Sequence, residues 1–568
     1  MKSLASRERS VRAGDFFINL ALVALGALLF SAAFPNLLVE KGLPLLAWIA
    51  LVPVFALVRR TGLRASFFWG ALYGYAAYSL FNYWLSVFHP MAGLIVNSVY
   101  LFYLGLLFPL LKIAELLFPR RFYLVQWVLW VSYEYLRTQG FLGYPYGIIG
   151  YSQWEVIPLI QIASLCGVWG VSALLVFPSA WLGAALQGNA GPNAAGPGLR
   201  GRPALAFRDI PGNIGAFFRR ERVSALVWLI CLCAALGYGF FSQVDYSGAR
   251  RARIALIQHN TDPWRGDIKD YRHNYEVLKR LSDEALGATP KPDLVVWSET
   301  AFVPRIYWHS TYRGDRESWD LVKELLDYLA AQDVPFLIGN DDGRKDPVKN
   351  PNRDPLNPQE DYRIDYNAVM LYEKGNLTGL YRKLHLVPFT EHFPYEKQLP
   401  WMYKALKEAD THFWEKGEEA TVFSTGGFKF SSPICFEDTF GYLSRDFVRN
   451  GAELIVNLSN DAWSASLPAQ NQHLSMAVFR AVENRRSMVR STASGQTCAV
   501  DPNGRLIALA PPFTESALTV EVPVITPDSL YTRFGDFLAF IFVGAAITLL
   551  IFGSLSYIII TVKKGRDS

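Results

Sequence analysis

Cysteine is scarce in this chain: there are five in 568 residues, and Cys166, Cys231 and Cys233 fall in long apolar runs where a thiol behaves as a small hydrophobe. That excludes a small scaffold stapled by disulfides. Phosphate-cradling loops are missing too. Neither G-x-x-x-x-G-K-[ST] nor G-x-G-x-x-G after a strand occurs, so an ATP-driven reaction loses its support. The absence of a G-x-S-x-G elbow argues against a serine hydrolase. His385 and His392 are close in sequence, but their spacing fits no H-E-x-x-H pattern and no Cys or Asp cluster completes a set, so neither a metal nor another cofactor is expected. No internal repeat is visible.

Apolar residues are plentiful. At 51% hydrophobic and 14% aromatic, the composition selects a membrane protein over a string of soluble domains. Apolar runs near 15–38, 43–58, 65–88, 93–118, 123–142, 157–186, 223–242 and 537–562 suggest about eight spans, with 43–58 the shortest. Lys and Arg gather before the first run, after the second, fourth and sixth, and after the last. Cytoplasmic loops retain such charges, so both termini are expected in the cytoplasm and the polar block 243–536 outside. The net charge of +5 is thus an orientation signal, and no nucleic-acid partner is expected.

In the polar block, strand-like pieces (RIALIQ, DLVVWSE, VPFLIG, YNAVMLYE, GFKFSSPIC, AELIVNLS, QTCAVD) alternate with helical ones (YRHNYEVLKRLSDEAL, ESWDLVKELLDYLAAQ, NQHLSMAVFRAVENRR). This interleaving predicts one α/β domain with helices outside its sheets. The division expected is a transmembrane bundle over 1–242, a catalytic α/β domain over 243–530, and a last span with tail over 531–568. Residues 187–203 read as a flexible Gly/Ala/Pro insertion and 344–363 as an exposed one.

Cys435 and Cys498 are the cysteines of the polar block, and a structural disulfide between them is one reading. The other is chemical. DLVVWSET ends a hydrophobic strand on Glu299, YRKLHLVPFTEHFP presents Lys383 after a strand with Glu391 eight residues on, and SSPICFEDTF presents Cys435 with Glu437 and Asp438. A cationic Lys beside a thiol favours the thiolate and then an oxyanion, and a partly desolvated Glu can take and return a proton.

This ordered Glu, Lys, Cys set resembles that of the nitrilase superfamily, and with its flanking spans the chain is similar to the membrane-embedded apolipoprotein N-acyltransferase branch. EYLRTQGFLGYPYGIIGYSQ, KLHLVPFTEHFP, NLSNDAWS and YTRFGD carry the likeness over almost the full length. The resemblance implies an αββα sandwich beside the bundle, in the bacterial inner membrane, acting without a cofactor. It implies that a phospholipid donates an acyl chain, through a thioester on Cys435, to the free amine of diacylated apolipoproteins. Glu299 would be the general base and Lys383 the oxyanion stabiliser, with Glu391 and Glu437 orienting Lys383 or substrate. Trp264, in IQHNTDPWRGD, resembles a tryptophan that follows the first strand in the family, and its alternative is a core or interfacial aromatic.

Phe436 stands where the family commonly has Tyr, and Ser298 replaces a frequent Pro; both bear on pocket shape. Trp401, in PYEKQLPWMYKALKEA, belongs either to an interfacial lid or to a surface helix. Glu134 and Arg137 could pair with each other or meet a lipid headgroup. A membrane-tethered amidase and a non-catalytic binding module are the alternative functions, and a monomer is expected.

Overall fold

The computed structural model describes residues 2–88, 90–186, 210–261, 266–346, 363–408 and 411–566. Trp264, the 187–203 insertion and residues 347–362 lie outside the described residues. The chain divides into two compact units, Met1–Ser242 with Asp536–Ser568, and Gln243–Gly535.

In the first unit, five helices among the described residues are long and apolar enough to cross a membrane: Gly14–Ala33, Ala92–Leu117, Val168–Ala185, Gly212–Phe241 and Phe537–Ile560. These helices do not confirm the expected count of about eight spans; the other three apolar runs are interrupted or short. Residues 43–58 form a 3-10 turn, Pro44–Trp48, and a nine-residue helix, Val52–Arg60, each opened by a proline. The 65–88 run stops at Phe81 and resumes at Tyr83 around buried Asn82, whose side chain accepts a hydrogen bond from Tyr144 Oη at 3.2 Å. The helix Phe122–Leu136 has fifteen residues, about 22 Å of rise against a hydrocarbon core of about 30 Å. Exposed Val223, Leu226, Val227 and Ile230 on one helix, and Ile541, Ile547 and Ile551 on another, present surface suited to lipid rather than water. The protein is membrane-bound.

Among the described residues the second unit holds twelve strands: β1 Arg251–Gln258, β2 Leu294–Trp297, β3 Phe336–Lys345, β4 Arg363–Glu373, β5 Asn376–Arg382, β6 Val422–Thr425, β7 Phe428–Ser431, β8 Leu454–Ser459, β9 Ser487–Thr492, β10 Cys498–Val500, β11 Leu506–Leu509 and β12 Ser516–Pro523. They form two six-stranded sheets, β12-β1-β2-β3-β4-β5 and β11-β10-β9-β8-β7-β6. The centre of each is parallel, and β2 and β8 are buried along their whole length, which fits the unbroken apolar run LVVW of β2 and the apolar start LIV of β8. Ser491 on β9 donates to the carbonyls of Ile257 (3.3 Å) and Val296 (3.1 Å), joining the sheets face to face.

Helices cover the outside. Ile268–Leu286 and Arg316–Ala330 set Tyr275, Leu278, Leu321 and Leu325 into a common core with Val295, Trp297 and Phe336 of the first sheet. Asp267 and Asp315 cap their first turns by accepting backbone N–H groups at 2.8–3.2 Å. Gly441–Arg449 and Leu467–Asn484 belong to the second sheet's side, giving the αββα layering.

Two local expectations change. The 344–363 insertion begins and ends as paired strand, Lys345 opposite Arg363. The strand expected to reach Cys435 ends at Ser431, and a 3-10 turn, Cys435–Thr439, carries the thiol.

Candidate active site

Four strand ends converge. Glu299 follows β2 by two residues, Lys383 follows β5 directly, Cys435 follows β7, and Asn460 follows β8. The chain leaves β2 through Ser298 and Thr300 only because Gly339 on β3 has no side chain; a Cβ there would lie 2.4 Å from Ser298 O and 2.7 Å from Glu299 Cα.

Lys383 has no exposed surface. Its Nζ donates to Glu391 Oε1 at 2.8 Å and lies 3.4 Å from Glu299 Oε1. Burial pulls its pKa down, but the carboxylates of Glu391 and Glu299 outweigh burial and hold the ammonium above the ordinary lysine range. Glu299 Oε1 also accepts from Asn367 Nδ2 at 2.9 Å, and Glu299 Oε2 from the backbone N–H of Asn460 at 3.0 Å. Glu391 Oε2 accepts from Val387 N at 2.8 Å.

Cys435 is half-buried as a residue. Burial and the charge of Glu299 push its thiol well above the ordinary thiol range, while Lys383 opposes them. A thiol held in that direction keeps its proton at neutral pH and would need a base in order to attack. Cys435 has φ +48°, a left-handed conformation costing a non-glycine residue about 1–3 kcal/mol. Thr300 at +46° and Phe389 at +66° share that strain near Glu299 and Glu391.

Glu437 holds the strained turn in place. Its oxygens accept from Ile434 N (2.7 Å), Leu384 N (2.7 Å), His385 N (2.9 Å) and Tyr381 Oη (2.8 and 2.9 Å). It thereby bolts the loop of Lys383, from the first sheet, to the turn of Cys435, from the second. Burial pushes its pKa up to about 7, and the N–H donors and Lys383 keep it from rising further. Asn457 Nδ2 supports the same turn by donating to Pro433 O at 3.1 Å and Cys435 O at 3.4 Å.

Of the other residues singled out from sequence, Phe436 is buried with its ring edge-on to Phe440 at 5.0 Å. Trp401 is 66% exposed on the helix Pro400–Glu408, which buries none of its residues. Glu134 and Arg137 belong to the first unit and are both buried: Glu134 accepts from Ile149 N, and Arg137 donates to Tyr100 Oη and to the carbonyls of Tyr144 and Tyr146. They staple the 144–149 loop. Cys435 and Cys498 are both free thiols, so the disulfide reading does not describe this structure. His385 is pulled down to about 3 by burial and two lysines, so it is neutral rather than an acid. Among the described residues no three His, Cys, Asp or Glu side chains gather as they would for a metal.

Sequence reading did not single out Asn367 or Tyr381, nor Asn457, although Asn457 opens the NLSNDAWS stretch. Asn460, Asp461 and His473 lay inside stretches already picked out, yet their burial gave no sequence signal.

The chain matches two family models, Carbon-nitrogen hydrolase over residues 253–527 and Apolipoprotein N-acyltransferase N-terminal domain over residues 26–181. It is 46% identical over 553 residues to Apolipoprotein N-acyltransferase 1 of Treponema denticola, covering 96% of this chain and 97% of that one. It is 45% identical to Apolipoprotein N-acyltransferase 1 of Treponema pallidum, with the same coverages, and 30% identical to Apolipoprotein N-acyltransferase of Geobacter metallireducens, covering 92% of this chain and 93% of that one.

Proposed function

This chain belongs to the apolipoprotein N-acyltransferase family, and from that premise we propose how its second unit carries an acyl chain from a membrane phospholipid to the N-terminal amine of a diacylated lipoprotein. Glu299 takes the Cys435 proton as sulfur attacks the glycerophospholipid ester carbonyl. The carbonyl oxygen gathers negative charge beside the Lys383 ammonium. The C–O bond breaks, Glu299 returns the proton to the leaving lysophospholipid oxygen, and an acyl thioester remains on Cys435. The α-amine of the diacylglyceryl-cysteine then attacks, Glu299 accepts its proton, and the sulfur leaves as thiol while an amide forms. Ester to thioester to amide needs no nucleotide, and the two half-reactions share one base and one oxyanion partner.

The observation that carries this reading is Lys383 itself. A fully buried ammonium pinned between two carboxylates is a pre-set charge, so it need not reorganise when the oxyanion appears. Glu391 and Glu437 are positioning residues, the first for the ammonium and the second for both loops. The second unit, residues 243–535, is the catalytic domain and lies on the outer face of the cytoplasmic membrane, with both termini inside. Protease added to sealed spheroplasts should cleave within this unit and spare the basic segment near residue 220; the reverse pattern overturns that orientation.

The deciding experiment is intact-mass spectrometry of the purified protein after incubation with phospholipid, beside Cys435→Ala. A fatty-acyl adduct confined to the parent, and discharged by a diacylated peptide as triacylated product, is expected. Discharge by water alone would make the protein a hydrolase, and lipid binding without an adduct would make it a binding module.

A further inference from the structure

A second cluster of buried charge lies behind the nucleophile. His473, on the helix Leu467–Asn484, is 3% exposed. Its Nε2 is 2.7 Å from Asp438 Oδ1 and its Nδ1 is 3.1 Å from Asp461 Oδ1. Both carboxylates also meet the guanidinium of Arg490 on β9, Asp438 directly and Asp461 at 3.4 Å. The positions of the two acids give the cluster its meaning. Asp438 belongs to the turn that begins with Cys435, and Asp461 directly follows Asn460, whose N–H orients Glu299. Ser459 donates to Asp461 at 2.9 Å, which ties that turn to β8.

We propose that His473 is a positioning residue for the transfer reaction, acting as an imidazolium that clamps the turn carrying Cys435 to the turn that orients Glu299. Each ring nitrogen has a carboxylate oxygen within hydrogen-bond distance, and only the imidazolium donates to both; Arg490 Nη2 also lies 3.4 Å from Nδ1 and competes for that side of the ring. Charge leads to the same state. Two carboxylates and Arg490 leave one negative charge uncompensated beside the thiol, and the imidazolium cancels it. Asp438, Asp461 and Arg490 face the ring from three elements; Cys435 and Cys498 lie next to Arg490, and on its own helix Arg480 pairs with Glu483 at 2.9 Å. Burial pulls His473 down, but Asp438 and Asp461 overcome burial and the opposing Arg490, and its pKa stands at about 9. The clamp is therefore complete at neutral pH and is lost as pH rises through about 9.

The inference rests on the thioester reading, and the test separates the two. Adduct formation on Cys435 would be timed by intact mass between about pH 6 and pH 10 in the parent, in His473→Gln and in Asp438→Asn/His473→Gln. The parent rate is expected to fall in the alkaline range. The single variant should be about 30-fold slower and lack that fall, and the double variant should recover at least about threefold by restoring neutrality. A merely structural histidine would predict the double variant to be the slower of the two. A single-variant rate within about twofold of the parent, or no recovery in the double variant, overturns the clamp while leaving the thioester intact. If the variants fail to fold, a flat alkaline profile in the parent overturns it as well. No adduct in the parent removes the thioester reading and the clamp with it.

Discussion

The two groups of buried charge beside Cys435 share a layout and differ in their sum. On one side Glu299 and Glu391 hold a single cation, Lys383. On the other, Asp438 and Asp461 hold two, Arg490 and His473. A cluster with one ammonium for two carboxylates keeps an oxygen able to accept a proton, and in the proposed mechanism its ammonium faces the ester carbonyl. A balanced cluster of equal burial has no such reserve. It resists protonation, since Asp461 is held far below the usual carboxylate range against the cost of burial by His473 and Arg490. It therefore serves to hold geometry. Burying charge is costly in both places, and in each the layout suggests what the cost secures: reactivity in the first, position in the second.

Mutations of decreasing severity would break or sharpen that contrast. Cys435→Ala should abolish the acyl adduct, whereas Cys498→Ala, next to the balanced cluster, should keep adduct formation within about threefold of the parent by intact mass. Lys383→Met removes the cation of the unbalanced side, and single-turnover acylation should fall about 10³-fold. Glu299→Gln removes the proton acceptor but keeps much of the hydrogen-bonding shape, and the same assay should show a loss of about 10²-fold.

Glu437 offers a pH test. Below about 7 its carboxylate takes a proton, and an O–H then replaces an acceptor for the Leu384, His385 and Ile434 N–H groups. The parent's acylation rate should fall as pH drops through that range, and Glu437→Gln should be about tenfold slower with the acid limb shifted or gone. Trp401→Ala should have the smallest effect, raising the KM for phospholipid about threefold with kcat unchanged, if the exposed helix Pro400–Glu408 meets lipid.

Glu299, Lys383 and Cys435 were legible because each follows a hydrophobic strand and carries a side chain unusual there. Glu391 and Glu437 were legible through the motifs around them. Asn367 was not: it reaches Glu299 because β4 runs antiparallel to β5 and carries Asn367 beside Lys383, whose N–H donates to its carbonyl at 2.9 Å. Tyr381 was not singled out, and only the approach of the two sheets shows its hydroxyl on Glu437. His473 sat in an apparently amphipathic helix whose polar residues are in fact buried along nearly its whole length. The interruptions within the apolar runs were illegible for a related reason. Hydropathy adds up apolar residues, but it cannot register a buried Asn82 or an opening proline that interrupts the helix.

The sequence by itself determined the division into an apolar bundle and an α/β domain, since hydrophobic periodicity and run length act locally along the chain. It also determined the three residues proposed to react, because strand ends and their polar neighbours are local features as well. Only the tertiary structure decided the charge balance around the thiol, the shared grip of Glu437 on two loops and the place of His473. Each of these depends on distances of about 3 Å between residues far apart in the chain, and electrostatic and hydrogen-bond energies follow separation in space rather than in sequence.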